Sequence, residues 1–114
     1  MKQLVLALIM LLCLSCSAQN CNSINIEQNS YSQAITELRK TEFSISEKVD
    51  TDSSWIDHLE YYSCDEVTGY LVMTTKKEKS YIHKAVPVSL WQKFKATNSF
   101  GKFYNSNLKG KFQF

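Results

Sequence analysis

The apolar positions of this chain change their spacing along its length, and each change marks an element. Leu4 to Leu14 is an unbroken apolar run behind Lys2. It is too short to span a bilayer alone, which takes about 20 apolar residues. Followed by the small residues of "SCSAQN", it has the layout of an export signal. Residues 19–30 are polar and amide-rich and read as an arm. In "SYSQAITELRK", Tyr31, Ile35 and Leu38 recur at helical spacing, with Asn29 or Ser30 as the cap, so a short helix is predicted.

The period then changes. "FSIS" begins to alternate, but the polar run "EKVDTDSS" reads as a turn. Strands are predicted in "SWIDHLEYY", "YLVMTT" and "SYIHKAV", joined through "CDEVTG" and "KKEK". Connections this short require antiparallel neighbours, because parallel strands need a long crossover. Pro87 ends the meander: it holds Val86 extended and suits the first turn of a helix. Leu90, Trp91 and Phe94 then share one helical face, and Phe100, Phe103, Tyr104 and Leu108 share another, with Gly110 as the stop. The predicted class is α+β: a short N-terminal helix, a three-stranded antiparallel meander, and two C-terminal helical segments packed on one face.

Two processing routes fit the N-terminus. Cleavage after Ala18 makes 1–18 an ordinary signal peptide. In the other route Leu14-Ser15-Cys16 resembles a bacterial lipoprotein box, so that 1–15 is removed and Cys16 carries the lipid. Lipidation is the favoured route, although Cys13 stands where that box usually has an aliphatic residue. Either route leaves Cys21 and Cys64 as an even pair, which is expected to bridge in an oxidising compartment. Such a bridge contributes about 3–4 kcal/mol through the unfolded state. The expected location is bacterial and exported, either periplasmic or membrane-anchored through Cys16, and the expected organisation is an arm with a short helix over 19–52 and a domain over 53–114.

Charge is divided along the chain. Residues 19–66 hold three basic residues against ten acidic ones, a balance of −7, whereas residues 67–114 hold nine lysines against Glu78, a balance of +8. A basic half can be a polyanion footprint, or the two halves can neutralise each other on folding.

Catalytic patterns are absent from the sequence. His58, His83, Cys64, Asp57, Glu60, Asp65 and Glu66 show no zinc-type spacing. Ser53 and Ser54 have no base nearby in sequence, and the three glycines are not grouped into a phosphate loop. No catalytic residue, metal ligand or cofactor is assigned, and the chain reads as a non-enzyme.

"SSWI" at 53–56, "YY" at 61–62, "YLVM" at 70–73, "YIHKAVP" at 81–87 and "ATNSFGKFYNSNLKGKF" at 96–112 together resemble the KTSC domain, a family named from the C-terminus of some lysyl-tRNA synthetases. The family's Y-x-Y pattern reads Tyr81-Ile82-His83 here, an imidazole replacing the second phenol. The resemblance brings no established activity, but it implies RNA binding. On that reading Tyr81 and His83 stack bases from one strand face, with Tyr104 beside them. Lys84, Lys93, Lys95, Lys102 and Lys109 contact phosphates, and Asn98 and Asn105 hydrogen-bond sugars or bases. Export argues against RNA as a ligand, so the favoured expectation is a lipid-anchored, non-catalytic module that binds a protein or an envelope component. Nucleic-acid binding through the basic half is the alternative.

Overall fold

A computed structural model describes residues 19–26 and 30–114. The export segment 1–18 and the lipidation position Cys16 lie outside the described residues. Ser30 caps helix α1 (Tyr31–Lys40): its hydroxyl accepts from the Gln33 amide while the Gln33 side chain accepts from the Ser30 amide. Ala34, Ile35 and Leu38 are the buried face of α1, and Tyr31 remains 42% exposed. Strand β1 (Gln19–Asn20) pairs in parallel with β2 (Thr41–Glu42), which follows α1 directly.

The main sheet has four antiparallel strands, not the three expected from sequence. They are β3 (Ile45–Asp50), β4 (Ile56–Ser63), β5 (Thr68–Thr75) and β6 (Ser80–Pro87), in that order across the sheet. The overlooked strand is the stretch read as a polar turn. It lies at the sheet edge, so Ser46, Lys48 and Asp50 face water while Ile45, Glu47 and Val49 turn inward. Charged residues on an exposed edge strand also discourage pairing with another chain.

Both sheet faces are covered. On one, Leu59, Tyr61, Leu71 and Met73 pack against Trp91 of α2 (Val88–Lys95) and Tyr104 of α3 (Phe100–Asn107). On the other, Tyr62, Val72 and Ile82 pack against Ile35 and Leu38 of α1. The two C-terminal helices thus share one face, and the N-terminal helix takes the opposite one.

Two irregularities set which residue faces which layer. A register shift between Ile56 and His58 lets Ile56 join the α2–α3 layer although His58, Glu60 and Tyr62 face the α1 side. This is why "SWIDHLEYY" shows no clean alternation. The second lies opposite Gly69, where β6 accommodates an extra residue with Ala85 at φ 56°. A side chain at Gly69 would collide with the Tyr62 carbonyl and the Tyr61 ring. Pro87 is the cap residue of α2 and the last residue of β6, one position earlier than its expected place in the first turn. Its ψ of 141° continues the strand while its fixed φ of −60° suits the helix that follows.

After α3 the chain turns at Gly110, at φ 74°, and runs along the outer edge of β6. The Lys84 amide donates to the Phe112 carbonyl at 2.9 Å, and His83 is bridged with Gln113. Phe112 joins the α2–α3 layer, while Phe114 reaches the α1 layer and meets the Tyr31 ring edge-on, centroids 5.6 Å apart.

Candidate binding cleft

Tyr81 and His83 pair with Met73 and Leu71 of β5 and therefore share the sheet face that α3 covers. Tyr81 is 38% exposed and His83 only 6%. Burial keeps the imidazole pKa below its ordinary value, against the opposing pull of the Lys111 and Phe112 carbonyls, so the ring is neutral near pH 7. A carbonyl only accepts, so Nδ1 carries the proton and donates to the Lys111 oxygen at 3.1 Å. Nε2 then accepts from the Tyr104 hydroxyl at 2.9 Å. Burial also pushes the Tyr104 phenol up to about 12, which keeps it a donor. His83 and Tyr104 thus satisfy each other's polar atoms.

Beside this pair opens a cleft of about 700 Å³ between the β5–β6 hairpin, α3 and the C-terminal tail. Trp55, Tyr81, Met73, His83 and Tyr104 line it, together with the contacting pair Tyr31 and Phe114. Trp55 meets Tyr104 edge-on at 5.7 Å, and its carbonyl accepts from the Lys76 amide at 2.9 Å. The rim carries Lys76, Lys77, Lys79 and Lys109, none of them within ion-pair distance of a carboxylate among the described residues. Among the described residues no aspartate or glutamate lines the cleft. The hairpin turn explains this: the Glu78 amide bonds back to the Thr75 carbonyl at φ 64°, and Glu78 itself lies off the cleft while its three lysine neighbours line it.

The residues singled out from sequence separate into groups. Tyr81, His83, Tyr104, Asn105 and Lys109 converge on the cleft. Asn98 and Lys102, again with Asn105, line a neighbouring polar depression of about 410 Å³. Lys93 is exposed on α2, and Lys84, two residues beyond Ile82, lies on the opposite sheet face from His83. Lys95 is engaged by the fold: its ammonium pairs with Glu47 at 3.0 Å and lies 5.5 Å from the centroid of the Trp91 ring. The Trp91 indole donates to the same carboxylate at 3.1 Å, and both bonds hold Glu47 below its usual pKa. Sequence reasoning missed Trp55, Tyr31, Phe114 and the turn lysines. "KKEK" carried the signal for the last of these, since a charged hairpin turn projects its side chains from the end of the sheet.

A second network, also missed, lies on the α1 side. Arg39 binds both oxygens of the buried Glu60 carboxylate, at 2.8 and 2.9 Å, and the Tyr62 hydroxyl donates to it at 2.7 Å. Burial pushes the Glu60 pKa up, but these bonds outweigh it and leave the carboxyl below its usual range. His58 lies 2.7 Å from Asp57 and 3.5 Å from Glu60. Among the described residues no group of three or more His, Cys, Asp or Glu side chains is placed to hold a metal ion. Cys21 and Cys64 lie at disulfide distance, with their Cα atoms 5.9 Å apart.

Comparison with known proteins agrees with this architecture. The KTSC domain model matches residues 52–112. A crystal structure of a KTSC domain protein from Yersinia pestis is similar, with a TM-score of 0.51 and 26% identity, over 60% of this chain and 92% of that one. No curated protein matches. With the family model spanning more than half of its residues and the fold shared with that relative, the chain belongs to the KTSC domain family.

Proposed function

We propose that this KTSC chain is an exported, lipid-anchored, non-catalytic binding module that takes an anionic group of a protein or envelope component into the cleft beside Tyr81. The observation that carries the reading is the pairing of an aromatic lining with four lysines that meet no aspartate or glutamate among the described residues. An apolar concavity with convergent like charges is the ordinary form of a ligand site, and an uncompensated positive rim selects an anion. Export is supported by the apolar run behind Lys2, and anchoring by Cys16 at its end. A Cys21–Cys64 disulfide, tying the arm to the β4–β5 turn, fits the same compartment.

Calorimetric titration with short-chain polyphosphate tests the cleft. Binding is expected at low salt and weakens as salt rises. Lys79→Ala or Lys109→Ala lowers the slope of log affinity against log salt by about one. No binding at low salt, or variants with an unchanged slope, overturns the reading. Intact-mass analysis tests the anchor, which requires acylated Cys16, and mass spectrometry of non-reduced peptides tests the bridge.

Nucleic-acid binding is the second reading, favoured by Tyr81 and Trp55 standing beside the lysine rim. An unprocessed Met1 in the cytosol would bring it to the fore.

A further inference from the structure

Trp55 stands between two depressions. Ser54, Trp55 and Asn105 line both the lysine-bearing cleft and the polar depression, so the two adjoin at these residues. The indole is held by the fold. The Trp55 carbonyl is bonded to Lys76 and its ring meets Tyr104. Beneath it α3 carries Gly101, where a Cβ would come within 2.6 Å of the indole Nε1. Any larger residue there would move the ring off the divide.

The two sides differ in chemistry. The cleft has the lysines and, among the described residues, no aspartate or glutamate, whereas the polar depression holds both Asp52 and Lys102 with the hydroxyls of Ser53, Ser54 and Ser99, the amides of Asn98 and Asn105, and the rings of Trp55 and Phe100. The Asn98 and Asn105 amides are unengaged by any described group, and each offers donors and an acceptor. Ser53 and Ser99 accept backbone N–H bonds, which leaves both hydroxyl protons free to donate.

Resting on the cleft reading above, we infer that the ligand is an acidic oligosaccharide, its anionic unit among the lysines and a neutral, hydroxyl-rich unit beyond Trp55. Sugar hydroxyls both donate and accept, which matches an aspartate beside paired amides, and the apolar C–H face of a sugar ring lies flat against an indole. A nucleic acid fits less well. It carries a phosphate at every nucleotide, so a strand crossing both depressions would set one against Asp52.

The test is calorimetric titration of the full chain with sialyllactose, whose carboxylated sugar is followed by neutral ones, beside free sialic acid, lactose and tetrathymidylate. Sialyllactose is expected to bind about tenfold more tightly than sialic acid, with lactose weaker than either. Asn98→Ala, an exposed change that leaves folding intact, removes the advantage of the longer sugar and spares sialic acid. Trp55→Ala abolishes the advantage as well. Equal affinity for sialyllactose and sialic acid, no binding of sialyllactose, or tighter binding of tetrathymidylate overturns the inference. If polyphosphate still binds in a lysine-dependent way, the anionic cleft stands and only the extended sugar ligand falls.

Discussion

His83 accepts a hydrogen bond from Tyr104 in the lining of the cleft, Nε2 to Oη 2.9 Å, with both side chains almost wholly buried. Strand β6 and helix α3 are thereby joined by a polar bond inside an aromatic layer. The same imidazole reaches the tail through Lys111 at 3.1 Å. One ring therefore ties together sheet, helix and tail, the elements that enclose the cleft.

Removing the Tyr104 hydroxyl leaves His83 Nε2 buried without a donor. Tyr104→Phe is expected to cost about 1–3 kcal/mol, the range for an orphaned buried polar atom. Urea unfolding of the variant checks this. A midpoint equal to wild type would show that water reaches Nε2 in place of the phenol.

The depressed His83 pKa makes stability depend on pH with a definite sign. The unfolded imidazole protonates near the ordinary histidine value of 6.5, while the native ring resists. The unfolded state then binds more protons, so stability is complete above that value and declines as pH falls through it toward the folded pKa. Unfolding curves between about pH 8 and pH 5 should show this decline in wild type and a flatter profile in His83→Gln. Glu60 acts lower on the scale. Its folded pKa lies below the ordinary glutamate value of 4.5, so its contribution is present above 4.5 and is lost as pH falls through the folded pKa.

Arg39 and Glu60 join α1 to the sheet by two parallel bonds, with Glu60 buried and the Arg39 side chain 51% exposed. Breaking a fully buried pair from one side costs about 3–5 kcal/mol, and the exposure of Arg39 reduces this. Arg39→Ala is expected to destabilise by about 2 kcal/mol because Glu60 loses its counter-charge. Arg39→Met combined with Glu60→Met should recover part of that loss. Chemical denaturation of the single and double variants measures both. A double variant no more stable than Arg39→Ala would refute the account.

Gly101 allows Trp55 to lie against α3. Gly101→Ala gains helix propensity but places a methyl group against the indole, and overpacking of this kind typically costs about 1–3 kcal/mol. Because Trp91 is fully buried and bonded to Glu47, a changed tryptophan emission would report on Trp55. An unchanged spectrum together with unchanged stability would mean that the indole is not held by this contact.

Local chemistry made much of the fold readable. The Ser30 cap and the Ile35–Leu38 spacing marked α1, the short turns marked the three antiparallel strands, and Pro87 with the aromatic spacing marked α2 and α3. Each signal is carried by neighbours in sequence, and the ordered set of motifs carried the family. Strand β3 was hidden because an edge strand buries one thin face, and its alternation, with Glu47 among the inward positions, reads as polar. Its inward glutamate is satisfied by Trp91 and Lys95, more than forty positions away.

The site shows the same division. From sequence, Tyr81, His83, Tyr104, Asn105 and Lys109 were recognisable as chemistry-bearing residues, and the lysine excess of the second half was plain. Which lysines are neutralised is a matter of partners from distant segments: Lys95 meets Glu47 from the edge strand, while Lys76, Lys77, Lys79 and Lys109 meet no carboxylate among the described residues. Trp55 becomes part of a cleft only when β5, α3 and the tail close around it. The sequence by itself determined the local elements and the family, because periodicity, caps and turns act between near neighbours. Only the tertiary structure decided the cleft and its charge, because burial and ion pairing depend on residues that folding alone brings together.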